Sequence, residues 1–85
     1  MRGALLVDAG LSGFRLERVD LLRADLRRTD LRMVNMRDAL LRHARLDIAD
    51  LREAVLQGAD LNGAFFKRAD LRDANIAEAD WQMRC

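Results

Sequence analysis

Residues 24–41 read ADLRRTDLRMVNMRDALL, and the spacing of their apolar side chains decides the fold. Leu26, Leu31, Met36 and Leu41 stand five residues apart, and two residues before each lie Ala24, Thr29, Val34 and Ala39. Followed outward, both series run through the whole chain. The first extends from Leu6 and Leu11 to Leu71, Ile76 and Trp81; the second runs from Ala4 through Phe14 and Val19 to Ala74 and Ala79. Of these 32 positions only Thr29 is polar, and no insertion breaks the phase over 16 repeats.

A five-residue period excludes the two ordinary ways of burying such a pattern. Leu, Ala, Arg and Glu favour helix, and Leu40, Ala44, Ile48, Leu51 and Val55 would form a helical stripe. At about 100° per residue, however, five residues rotate by about 500°, so successive leucines would point some 140° apart. A flat strand fails as well, because five is odd and every second leucine would turn outward. A bend of roughly a right angle in each quintet resolves both conflicts. Four quintets then close a coil of about 20 residues, and coils stack at the ~4.8 Å spacing of paired strands.

The residue before each central Leu is Asp or Asn in nine repeats: Asp20, Asp25, Asp30, Asn35, Asp50, Asp60, Asp70, Asn75 and Asp80. This uninterrupted A(D/N)LXX pattern, from roughly Ala4 to Met83, resembles the pentapeptide-repeat family. The resemblance implies an all-β fold, a right-handed quadrilateral β-helix of about four 20-residue coils. The expected organisation is a short lead-in at 1–3, one repeat domain over 4–83 and a tail at 84–85. Stacking at intervals of 20 predicts core columns such as Leu6, Leu26, Leu46 and Phe66, and places Phe14 beneath Val34.

Composition narrows the function classes. Charged residues make up 34% of the chain yet almost cancel, leaving a net charge of +1. That balance argues against a nucleic-acid binder or a polybasic membrane-surface protein. The single cysteine, Cys85, precludes an internal disulfide, and no apolar run approaches the ~20 residues of a membrane span. The short apolar run Ala4–Val7 does not make a signal peptide, so a cytoplasmic location is expected. No catalytic, cofactor or metal site is expected. His43 is the lone histidine, without Cys, Asp or Glu at ligand spacing, and Ser12, the lone serine, falls on a different side from it.

Function must then lie in the outward positions. Arg32, Arg52 and Arg72 fall in register beside Asp30, Asp50 and Asp70, which reads as a solvated charge ladder. Residues 1–45 carry a net +4 and residues 46–85 a net −3, with Arg23, Arg27, Arg28, Arg32, Arg37, Arg42 and Arg45 crowding the second coil. The Asp/Asn position is apolar at Leu5, Leu40, Val55 and Phe65 and basic at Arg15 and Arg45. Leu5, Val7, Ile48 and Phe65 fall on one side of the prism, and Leu22 and Leu40 on a neighbouring side. The candidate interaction surface is therefore Leu5, Val7, Ile48 and Phe65 with Arg27, Arg28 and Arg45, facing an unidentified protein partner. Neither end shows an obvious cap, so Trp81 and Met83 are candidates for an end-to-end homodimer contact. Some pentapeptide-repeat proteins mimic duplex DNA and protect DNA gyrase. That alternative needs a strongly acidic surface, which a net +1 does not supply.

Overall fold

The computed structural model describes residues 1–81. Parallel β-bridges join residues 20 apart throughout. One column runs Leu5–Asp25–Arg45–Phe65, and three more climb to Asp70, Asn75 and Asp80. Each circuit of the backbone thus takes 20 residues and bends four times, giving a four-sided β-helix. The first side holds residues 4–8, 24–28, 44–48 and 64–68; the second, third and fourth follow at steps of five.

Every bend is made the same way. The N–H of the residue following the two turn positions donates to the central residue's carbonyl, as in Ala9 to Leu6 (3.0 Å), Ala24 to Leu21 (2.9 Å) and Ala59 to Leu56 (3.0 Å). The second turn residue is left-handed at every repeat from Gly3 to Glu78, with φ between 56° and 74°. A positive φ at that place alone is the signature of a type II turn. Glycine, which reaches this region without cost, occupies only Gly3, Gly13, Gly58 and Gly63 of these positions; the other twelve carry side chains.

The consensus carboxylate has a structural task that follows from counting donors. In the quintet 24–28, Ala24 N–H closes the preceding turn, Asp25 N–H bonds down to Ala4 O (2.8 Å), and Leu26 and Arg28 N–H bond up to Arg45 O and Asp47 O (2.7 and 3.0 Å). The remaining donor, Arg27 N–H, is met by Asp25 Oδ1 at 3.3 Å. The same bond recurs from Asp20, Asp30, Asn35, Asp50, Asp60, Asp70 and Asn75 to the N–H two residues on. Asp or Asn before the central Leu thus satisfies the one backbone donor that stacking leaves over.

Inside, an unbroken apolar core runs from Leu21 to Leu61, with each central residue and each residue two before it buried. Thr29, the one polar core position, is accommodated because its hydroxyl donates to Leu26 O at 2.8 Å. Burial falls off above and below. Phe14 and Ile76, expected inward from their register, remain half-exposed. Phe14 is bonded in register to Asn35 N–H (2.9 Å), but a neighbouring level covers it on one face only among the described residues. Trp81 packs edge-on against Phe66, with ring centroids 5.4 Å apart and planes at 77°. Its indole therefore has a partner within the chain; Met83, its expected companion, and the tail at 84–85 lie outside the described residues.

Candidate interaction surface

The second side shows what the regular pattern does with charge. Asp30, Asp50 and Asp70 each receive a bidentate fork from the arginine two residues on, at 2.7 to 3.1 Å. Arg32 and Arg52 also reach the aspartate one level up, at 3.9 and 4.0 Å. The arginine hydrogen bonds, supported by the turn N–H, hold the Asp30 and Asp70 carboxyls down at about 2. The charge of these three aspartates is answered by the three arginines beside them.

The first side departs from this pattern at each level but one. Its bridge column reads Leu5, Asp25, Arg45 and Phe65, so only Asp25 can cap its turn. Leu5 is 83% exposed, Ile48 52% and Phe65 51%, while Val7 is half-buried. Arg45 lies over the Phe65 ring, its guanidinium carbon 5.5 Å from the ring centroid. At Phe65 the missing cap is replaced from below: Asp47 Oδ1 accepts the Lys67 N–H at 3.2 Å. Asp47, Ile48, Arg27, Arg28, Lys67 and Arg68 line a shallow concavity of about 310 Å³.

Ion pairing redistributes the positive charge expected of this face. Arg27 is forked onto Asp25 at 2.8 Å through both nitrogens, and Arg28 onto Asp8 at 2.9 and 3.2 Å. Hydrogen bonding in each pair raises the arginine and lowers the aspartate from its ordinary range. The charge of Arg27 and Arg28 is thus compensated on the spot. Among the described residues Arg45, Lys67 and Arg68 make no ion pair, and they surround Ile48 and Phe65. The sequence reading named Arg45 but passed over Lys67, Arg68 and Asp47. Writing the chain in rows of 20 would have exposed them, since they stand directly above Asp47, Ile48 and Arg27 in turn.

A larger concavity of about 450 Å³ on the fourth side is floored by Leu22 and Leu40. Two of its cations are answered locally, Arg2 by Asp20 at 2.6 Å and Arg42 by Asp60 at 3.9 Å. His43 sits there with its ring laid against Gly63, where a Cβ would collide with the imidazole. Ser12 lies on the second side and donates to Arg32 O at 3.1 Å. Among the described residues no three metal-ligating side chains cluster, and no helix is long and apolar enough to cross a membrane.

The stretches of sequence that carry this register and these turn caps match the family model for pentapeptide repeats, in eight copies over residues 4–43 and 49–80. The chain belongs to the pentapeptide-repeat family. Solved members form right-handed β-helices. A pentapeptide repeat protein of Nostoc Pcc 7120 is 41% identical with a TM-score of 0.91, over 95% of this chain and 66% of that one. Rfr23 from the cyanobacterium Cyanothece 51142 is 30% identical with a TM-score of 0.58, over 93% of this chain and 58% of its own. A pentapeptide repeat protein from the Arabidopsis thaliana thylakoid lumen is 27% identical with a TM-score of 0.53, over 98% of this chain and 70% of that one. The chain thus spans about two thirds of the first of these and less of the second. No curated protein matches. The gap in the family match, 44–48, is the first-side quintet that contains Arg45, Asp47 and Ile48.

Proposed function

We propose that this chain is a non-enzymatic protein-interaction module whose first side is the contact face. The prism, read as about four coils, serves as a rigid support. The observation that carries this reading is a coincidence on one side: exposed Leu5, Ile48 and Phe65 share it with the unpaired cations Arg45, Lys67 and Arg68. Apolar surface rimmed by charge is the usual make-up of a docking face. Mimicry of duplex DNA asks instead for an uninterrupted acidic stripe. The second side, with its column of aspartates, alternates those carboxylates with forked arginines.

The test is capture from cells of the source organism with wild type and with a Phe65→Ser/Ile48→Ser double variant. A protein recovered by the wild type and lost with the variant, at equal thermal stability, supports the reading. Identical recovery by both overturns it.

A further inference from the structure

We propose that the first side takes an acidic peptide segment, a run of Asp or Glu interrupted by one or two bulky apolar residues. This rests on the reading of that side as the contact face and states what kind of partner fits it. The side carries five cations, Arg27, Arg28, Arg45, Lys67 and Arg68, against three carboxylates. All three carboxylates are already engaged: Asp8 by Arg28, Asp25 by Arg27 and Asp47 by the Lys67 N–H. Asp8 and Asp25 are thus neutralised by their arginines and Asp47 keeps only Oδ2 free, whereas the guanidiniums of Arg45 and Arg68 and the ammonium of Lys67 still have donors to give, so the face keeps a positive excess of two. A partner that brings carboxylates complements them.

The apolar part of the match is set by Ile48. It stands in one column between Arg28 below and Arg68 above, and it forms the apolar part of the 310 Å³ concavity. Ile48 is also the only β-branched residue among the sixteen left-handed turn positions, at φ 63°. That conformation strongly disfavours branching at Cβ, and glycine or asparagine would relieve it. A strained, half-exposed isoleucine ringed by cations is a feature that folding alone does not call for. Phe65, one level up and half covered by Arg45, extends the apolar strip. Together these contacts call for alternating acidic and apolar chemistry.

A fluorescein-labelled heptapeptide, Glu-Glu-Leu-Glu-Phe-Glu-Glu, provides the probe, followed by fluorescence anisotropy against the full chain. Controls replace Leu and Phe by Ser, or every Glu by Lys, and a labelled oligo-deoxythymidylate tests phosphate recognition. The acidic-apolar peptide should bind most tightly and should weaken as salt rises from about 0.1 M to about 1 M, where screening shortens from ~10 Å to ~3 Å. Lys67→Glu/Arg68→Glu should lower its affinity roughly tenfold or more. Ile48→Asn should also weaken binding while raising the melting temperature, so that the loss cannot be unfolding. Equal binding of the serine or lysine peptide overturns the proposal, as does indifference to either variant. Oligonucleotide binding that is as tight and survives Ile48→Asn makes the face a phosphate patch and likewise overturns it. If no peptide binds but cell capture still depends on Phe65 and Ile48, the acidic partner is wrong and the contact face stands; if capture loses that dependence too, both fall.

Discussion

The first and second sides are built on the same backbone, with the same turn, the same register and the same buried column behind them, yet they meet solvent in opposite ways. On the second side Asp30, Asp50 and Asp70 cap their turns and accept arginine forks, so their charge is answered within the chain. On the first side Leu5, Arg45 and Phe65 occupy the capping place, and Asp47 has to reach up to cover Lys67 N–H. The lesson is that the consensus residue does two things at once. It finishes the backbone and it silences the surface charge. Where it is replaced on the first side, apolar area and free cations share the face without any change of fold.

If the two sides share one scaffold, the largest perturbations should not distinguish them. Leu46→Ala behind the first side and Leu51→Ala behind the second each remove a fully buried side chain. Each should cost about 2–5 kcal/mol in urea unfolding, the cavity not being refilled in so narrow a prism. A large difference between the two would break the comparison and show that outward departures reach into the core.

The turn positions should distinguish the sides. Ile48 and Glu53 occupy equivalent left-handed places, at φ 63° and 60°. Ile48→Asn should stabilise by about 1 kcal/mol, because branching at Cβ is what the left-handed region penalises. Glu53→Asn should give roughly a few tenths by the same reasoning, since Glu is unbranched there. Thermal melts of the two variants measure the contrast, and equal shifts would remove the argument that Ile48 is specially strained.

Much of this was legible from the period alone. Sixteen repeats in unbroken phase dictate the four-sided circuit, the buried columns, the interval of 20 and the in-register Arg32–Arg52–Arg72 ladder. Three things were not legible, each for a physical reason. The left-handed turn residue is hidden because Arg, Asp, Glu, His, Met and Ile fill most of those places instead of glycine. The self-compensation of Arg27 and Arg28 depends on side-chain forks, which net charge by segment averages away. The inward register of Phe14 and Ile76 fixes their place in the column but not their burial, which depends on a neighbouring level above and below.

Acid should act chiefly through the second side. Asp30 and Asp70 sit at about 2 in the folded chain against an ordinary 3.8. A depressed carboxyl stabilises the fold above its ordinary value, and that contribution is lost as pH falls through about 2. The melting temperature should therefore drop between roughly pH 4 and pH 2. In Asp30→Asn/Asp70→Asn this acid limb should flatten, because the amides keep the turn N–H bond and give up the titrating charge. A limb unchanged in the variant would mean that the other depressed carboxyls dominate instead: Asp50 on the same side, Asp8 and Asp25 on the first and Asp20 on the fourth.

A small effect on stability is also expected at Arg45, and it separates structure from contact most cleanly. Arg45 stands where the repeat would place a capping Asp, and its side chain rests on the exposed Phe65 ring. An exposed cation–π contact of this kind is worth about 0.5–1 kcal/mol, so Arg45→Ala should lower the melting temperature only slightly. The same change uncovers one face of Phe65 and removes one of the three unpaired cations beside it. Affinity for an acidic-apolar peptide should then fall well beyond the loss in stability. A peptide affinity that survives Arg45→Ala intact would confine the contact to Ile48, Lys67 and Arg68, and would leave Arg45 as a cover for an aromatic ring that the missing carboxylate made room for.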